Sequence, residues 1–543
     1  MMRLFATCLA ATSVVLAGLS AIPCTAQAAP RMPGELAWTI GYDPKTFDPA
    51  KVDDQESELV RYLTAGVLLR FNRFTQQVEP ALAQNWTLSP DGKTLTFKMR
   101  PGAQFSDGSS LTAKDAAWSI QRVLLPATAA PVAEEFVSPT GVTVEAPDQN
   151  TVIVHLPKRV VGIGKVFDEI AIEPANHPSE ARVTAGPFVV ADYRRSQYVR
   201  LRRNPHYRGA ATGAPAYAAG VRLDILENPE QEIRLFARGE YDLIDDLQPD
   251  YFELLRRRDP SAARDLGPSL NTEQMWFNQS PSSPLPAWEK SWFQSRAFRV
   301  AVSQAIHRAD LARIAYLGHA TPAYSFISPA NSTWYNRNIS APYEDVAAAK
   351  AALAHAGFHM NGSQLLDAAG HPVKFSILTN AGNAARQKMA TLIQQDLAAL
   401  GMQVTVVALD FPALIERLMH TQDYEACLLG LENVDPDPDA MMNVWLSSSP
   451  NHQWSPSEKT PATAWEAEID RQMNLETGSS LQSVRKQAVD RVQQIVADQQ
   501  PFIYLVYPNV LVAVSPHLAG VRPAVLEPTL VWNVDSLRQA GSR

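Results

Sequence analysis

"SPDGKTLTFKMRPGAQFSDGSSLTAKDAAWSI", Ser89 to Ile120, is sharply punctuated, yet it carries no obvious nucleophile, metal cluster or phosphate loop. Ser89-Pro90-Asp91-Gly92 is turn chemistry: Pro presets φ, Asp can bond its own backbone, and Gly tolerates φ > 0. Leu95, Phe97 and Met99 then alternate with Thr94, Thr96 and Lys98, which predicts a half-buried strand. Pro101-Gly102 breaks it and Ser106-Asp107-Gly108 makes a second turn. Thr112 stands at an N-cap position with Asp115 three residues on, a weaker capping box. The helix beyond it is expected to turn Ala116, Ile120, Val123 and Leu124 to one face. Local physics thus reads a strand, a tight link and a capped helix, with no chemistry in it.

Around it lies a chain of 543 residues, too long for one small core, for which two or three domains are the natural expectation. Hydrophobic content of 46% and charged content of 19% are those of an ordinary globular protein. A net charge of −8 argues against nucleic-acid binding, which needs a basic face. The one notable basic run, Arg256-Arg257-Arg258, follows Tyr251, Phe252, Leu254 and Leu255 and predicts the solvated face of an amphipathic helix.

At the N-terminus, Arg3 precedes an apolar run from Leu4 to Ile22, and Ala26-Gln27-Ala28 is an A-x-A cleavage pattern. Residues 1–28 are therefore expected to be a secretory signal peptide, cleaved near Ala28 to leave an exported protein. Cys8 and Cys24 leave with it. Cys427 remains, so no intramolecular disulfide is expected, and its apolar setting, Ala426 to Leu429, predicts a buried strand residue.

Catalytic signatures are missing from the sequence: there is no G-x-S-x-G, H-E-x-x-H, P-loop or C-x-x-C. Gly162-Ile163-Gly164 begins a dinucleotide fingerprint but has Phe167 where the third Gly belongs. Asp435-Pro436-Asp437-Pro438-Asp439 imitates a calcium loop, with Ala440 where Gly is needed and Leu446 where the bidentate Glu belongs; its two prolines predict an extended segment. The 11 His residues lack metal-ligand spacing. No catalytic residue, cofactor or metal is expected. Aromatic and carboxylate residues do collect at strand ends, as at Trp276-Phe277-Asn278, Asp410-Phe411 and Glu432-Asn433, and suggest a cleft lined by rings and a few polar groups.

Taken in order, five stretches resemble the family 5 extracellular solute-binding proteins of ABC transporters, the oligopeptide- and dipeptide-binding group. They are "ALAQNWTLSPDGKTLTFKMRPGAQFSDGSSLTAKDAAWSIQRVL" (81–124), "AGPFVVADYRRSQYVRLRRNPHYRG" (185–209), "SRAFRVAVSQAIHRADLARIAYLGHATPA" (295–323), "DVAAAKAALAHAGF" (345–358) and "LIQQDLAALGMQVTVV" (392–407). The resemblance runs from about residue 36 to about 530. It implies an α/β type II periplasmic-binding clamshell, two lobes joined by a hinge with an extra inserted domain. Domain I would be discontinuous, at 30–72, 187–280 and 511–543; domain II would cover 73–186 and domain III 281–510. Independently of the resemblance, helices predicted at Val346–His355 and Gln387–Leu400 each precede an apolar strand-like run, as an α/β lobe requires.

The resemblance also implies a function: a monomeric periplasmic receptor that captures a peptide or related amine-bearing solute and delivers it to an inner-membrane ABC transporter permease. In peptide-binding members an Asp pairs with the ligand's free amine, and Glu432 holds the matching position. A Trp common three residues earlier is Leu429 here. Thr379-Asn380-Ala381 stands where dipeptide-specific members carry an Arg for the ligand's carboxylate, so the dipeptide clamp is expected to be absent. The expected ligand-binding set is Glu432, Asn433, Asp435, Phe411, Trp276, Asn380 and Gln55. Alternatives are a secreted hydrolase of peptides or oligosaccharides, a non-transport sensor or chaperone, or a receptor for a nickel chelate, sugar or opine.

Overall fold

The decisive stretch folds as its local chemistry dictates in a computed structural model that describes residues 31–540, apart from 137–138, 161, 176, 179–180, 211–212, 433–434 and 480. The expected signal peptide, residues 1–28, lies outside the described residues. In the first turn Gly92 takes a φ of 72°. The Asp91 carboxylate accepts from the Lys93 amide at 3.1 Å. Strand Thr94–Met99 buries Leu95, Phe97 and Met99. At the helix start, Thr112 donates through both its amide and its hydroxyl to the Asp115 carboxylate, each at 2.8 Å. Helix Ala113–Leu124 buries Ala116, Ile120 and Val123, and Leu124 is half-buried.

Three sheets organise the chain. β1 (Glu35–Ile40) begins the first of them, and an inserted sheet follows. The insertion contains β2 (Ala83–Leu88), β3 (Thr94–Met99), β4 (Thr143–Asp148) and β5 (Thr151–His155), in the spatial order β2-β3-β5-β4, all antiparallel. Phe97, Phe136, Phe167 and Ile120 fill the core between this sheet and its helices. The chain then returns through β6 (Phe188–Arg194), β7 (Tyr198–Arg203) and β8 (Gly220–Ile225), and β8 pairs parallel to β1 to close the first sheet.

The third sheet is the largest. β9 (Ala263–Pro268) and β10 (Thr272–Phe277) are followed by β11 (Lys374–Asn380), β12 (Gln403–Leu409), β13 (Ala426–Leu431) and the 13-residue β14 (Phe502–Val514). β11 is parallel to both β12 and β13, while β10 runs antiparallel between β13 and β14. Helix α1 (Ala384–Ala398) carries the chain from β11 to β12, the crossover a parallel pair needs. Cys427, on β13, is fully buried, and burial holds its thiol well above the usual range. The basic run ends helix Pro249–Arg258, whose Phe252 and Leu255 are buried while all three arginines are exposed.

The Phe97 ring lies 4.7 Å from that of Phe167, tilted against it, and is fully buried. Phe97→Ala is therefore expected to cost about 3–5 kcal/mol of stability. Urea denaturation followed by tryptophan fluorescence measures it, and a loss below about 1 kcal/mol would show that this core collapses around the gap.

Candidate functional site

Parallel strands β11, β12 and β13 end on one edge of the large sheet, because Asn380 pairs with Leu409 and Ile377 with Ala426. Three of the expected ligand residues therefore share that edge. Asn380 closes β11, Phe411 stands two residues beyond β12, and Glu432 follows β13 directly. Such carboxyl-end edges are where open α/β sheets bind ligands. Trp276 is not with them. β10 is antiparallel, Thr272 pairs with Leu431 and Trp276 with Cys427, so Trp276 lies about 13 Å down the sheet from the edge. Its indole is 1% exposed, donates to the Tyr424 hydroxyl at 3.2 Å and packs edge-on against Phe502. Strand direction, invisible in a run of apolar residues, makes Trp276 a core residue and not a wall of the cleft.

Opposite this edge stands the other half of the molecule. Asp435 reaches Lys165, on helix Ile163–Glu169 packed on the inserted sheet, at 2.6 Å. The Lys165 ammonium also lies 5.2 Å above the Phe71 ring. Phe71, Leu270 and Leu526 form an apolar cluster with Ala330 packed against it, a floor where three parts of the chain meet. The Asn331 amide donates to the Pro436 carbonyl at 2.7 Å and fixes the Asp-Pro segment. That segment is extended only through Asp437, whose carboxylate caps a short 3₁₀ turn at Pro438–Met441. Asp437 is itself held by Arg485, which also binds Glu476, so it serves structure.

Glu432 is exposed and faces carboxylates. Burial raises Asp246 and Glu527, and the charge of Glu432 raises both further. Behind them Asp245 is pushed up to about 8, first by burial and then by Glu527 and Asp246, against backbone hydrogen bonds from Leu530 and Thr529. Gln55, the last of the expected set, is exposed and donates to the Glu527 carboxylate at 3.4 Å. Arg73 donates to the Glu527 carbonyl at 2.7 Å and to Asp168 at 3.0 Å, leaving the Glu527 carboxylate to the cleft. The structure thus brings together Glu432, Gln55, Asp435 and, across the cleft, acids that sequence reasoning missed. Asp245-Asp246 directly after the buried pair Leu243-Ile244 was the available signal, the same strand-end acid pattern that singled out Glu432. Asn433 lies outside the described residues.

The remaining two residues sit at the sheet edge without joining the acids. Asn380 accepts from Arg386 at 3.2 Å. Arg386 is spoken for: Glu273 takes it bidentately at 2.8 and 3.0 Å, and Tyr316 donates to the same carboxylate. A Cβ on Gly430 would meet the Arg386 guanidinium at 2.2 Å, so the ion pair requires glycine there. Phe411 is 55% exposed at the start of a short helix that Asp410 caps at 3.0 Å.

Known proteins share this architecture. Residues 77–453 match the family model "Bacterial extracellular solute-binding proteins, family 5 Middle". A probable ABC transporter-binding protein of Deinococcus radiodurans is 26% identical over 72% of each chain. The oligopeptide-binding protein AppA of Bacillus subtilis is 22% identical over 91% of this chain and 90% of its own. Among solved structures, the ABC transporter substrate-binding protein CtaP of Listeria monocytogenes superposes with a TM-score of 0.77 at 21% identity, covering 93% of this chain and 99% of its own.

Two outcomes follow from the cleft's charges. An unfolded Asp245 ionises near 3.8, the folded one at about 8. Between those values the unfolded chain has released a proton that the native state keeps, so stability falls as pH rises across the window. Asp245→Asn is expected to flatten that slope, measured by urea titrations at about pH 4.5 and 7.5; an unchanged slope would place its origin elsewhere. Lys165→Met removes the cross-cleft bridge to Asp435. It is expected to increase the radius of gyration of the ligand-free protein in solution scattering, and an unchanged value would show that the bridge does not hold the halves together.

Proposed function

Because the chain belongs to the bacterial extracellular solute-binding proteins of family 5, we propose that it is a periplasmic receptor that captures a peptide or a related amine-bearing solute and delivers it to an inner-membrane ABC transporter permease. The observation that carries the ligand class is the set of carboxylates on both sides of one cleft. Burial and then the charge of Glu432 raise the proton affinity of Asp246, and burial with the charges of Asp246 and Glu432 raises that of Glu527. A cation entering between them relieves that repulsion, whereas an anion would meet it. An ammonium leaving water needs such partners. Cleft closure upon it joins the two halves by contacts present only in the bound state. The relative AppA carries the name of an oligopeptide-binding protein, and an extended peptide suits the half-buried carboxyl ends of β11 and β13, where main-chain hydrogen bonding is independent of side chains.

Within this reading the mature protein begins near Ala29, acts as a monomer and performs no catalysis. The inserted domain II covers 73–186. We place the passage from domain I to domain III at 269–271, earlier than the expected boundary at 280–281, and the return near 507–510, close to the expected 510–511; the pairing of β10 with β13 and of β9 with the far half of β14 supports this. Arg386, neutralised by Glu273, offers little to a ligand carboxylate, which favours ligands longer than a dipeptide.

Calorimetry with peptides tests the reading. Glu432→Gln keeps the size of the side chain and removes its charge, and is expected to weaken binding of a peptide with a free N-terminus by about 2 kcal/mol or more. Acetylating the peptide is expected to cost a similar amount in the wild type and little more in the variant, since both changes delete one interaction. Additive losses would exclude Glu432 as the anchor. Recovered ligand is expected intact; new fragments would mark an enzyme.

A further inference from the structure

The far edge of the large sheet, away from the cleft, holds a second constellation. β10 ends at Phe277, and two residues on the Gln279 amide donates to the Trp454 carbonyl at 2.8 Å. Beside Trp454 three side chains converge: His452, Glu458 and Glu466 each bring one ligand atom within 4.8 Å of the other two. His452 is 0% exposed and Glu466 3%, while Glu458 is half-buried.

Each of the three is aimed. The loop 446–463 is pinned by backbone bonds from His452 to Ser449, Ser455 to His452, and Glu458 to Ser447. His452 Nδ1 lies 3.0 Å from the Val444 carbonyl. A carbonyl only accepts, so Nδ1 carries the proton, and Nε2 is the nitrogen left to offer a metal its lone pair. That Nε2 has no hydrogen-bond partner. It stands 3.7 Å from Glu466 Oε1. Glu466, in the first turn of helix Ala464–Gly478, is oriented by Trp454 Nε1 at 2.9 Å and the Thr463 hydroxyl at 2.6 Å. Glu458 Oε1 is a buried oxygen without a hydrogen bond of good geometry as well, although the Ser455 side chain lies near enough to favour its charge and its Oε2 accepts from the Ala462 amide at 3.1 Å.

An orphaned imidazole nitrogen and an orphaned carboxylate oxygen, beside a second carboxylate, are costly to bury. Arg299 feels the charge of Glu466. Its own donors go to the Gln499 and Phe293 carbonyls, so it closes no bond to this group. We propose that His452, Glu458 and Glu466 form a binding site for a divalent first-row transition metal, of which zinc is the representative ion. An imidazole with two carboxylates suits zinc and its neighbours; calcium and magnesium prefer oxygen alone. Tetrahedral ligands at about 2.0–2.1 Å lie about 3.3 Å apart, so the 3.7 Å between His452 and Glu466 needs only a small contraction. The half-buried Glu458 side leaves an entry path and a fourth position. A backbone carbonyl behind His452, and Trp454 and Thr463 behind Glu466, are the supports that metal ligands ordinarily have. The ion would tie loop 446–463 to the following helix, independently of the ligand cleft.

Untagged protein, stripped with a chelator and passed through gel filtration after exposure to zinc, tests this. One zinc per chain is expected by elemental analysis, with a raised melting temperature in differential scanning calorimetry, and neither magnesium nor calcium reproduces the rise. Glu458→Gln, on the accessible side, is expected to keep the native circular dichroism spectrum and to bind zinc more than about 100-fold more weakly. His452→Gln should lose it too. Cobalt should give a visible d–d absorption band that both variants lack. Protein that retains no zinc, a Glu458→Gln variant that retains it like the wild type, or equal stabilisation by magnesium would each overturn the proposal.

Discussion

Thirteen residues, Phe502–Val514, run as a single hydrogen-bonded strand through both halves of the molecule. Its first half pairs with β10 in the large sheet and its second half with β9 and with Leu243–Ile244. A β-strand satisfies its backbone only by staying paired. The halves are therefore tied along one line, with one register shift within the β9 pairing, between Asp265 and Pro268, and another within the β10 pairing, between Glu273 and Gln274. Everything in the cleft is placed by that line. Leu270 lies in the link between β9 and β10 and so becomes part of the floor. Asp245 and Asp246 follow a strand hung on β14, and Glu432 follows a strand two places across the same sheet.

Local elements were legible in the sequence wherever one short-range force decides. The turn at Ser89–Gly92, strand Thr94–Met99, the Thr112–Asp115 cap and helix Val346–His355 all stand where turn chemistry, alternation and capping put them. α1 starts three residues earlier than expected, at Ala384, because the Asn383 side chain caps it by accepting from Arg386. Buried Cys427 followed from its apolar run. Glu432, proposed as the anchor, and Asp245-Asp246 share one sequence pattern, acids directly after apolar strand residues.

What the sequence concealed is direction and partnership. Trp276 and Glu432 both border apolar strands, yet one strand runs toward the cleft and its neighbour away, which sends one side chain to solvent and the other to the core. Arg386 shows no sign in sequence that Glu273, 113 residues away, neutralises it. His452 likewise lacks any regular spacing to Glu458 and Glu466, because the loop between them is shaped by contacts with Ser447, Ser449 and Gln279. Long-range pairing decides such cases, and pairing is a property of the whole sheet.

The one cysteine among the described residues has a use that follows from its surroundings. Cys427 sits on β13 between β10 and β11, fully covered and held in its protonated form by burial. Swinging the two halves apart leaves that sheet intact, so the sulfur stays hidden through every opening and closing of the cleft. Alkylating reagents attack the thiolate alone. They reach it only when the strands of this lobe separate. The protein therefore carries a built-in clock for local unfolding of one lobe, and that clock is blind to hinge motion.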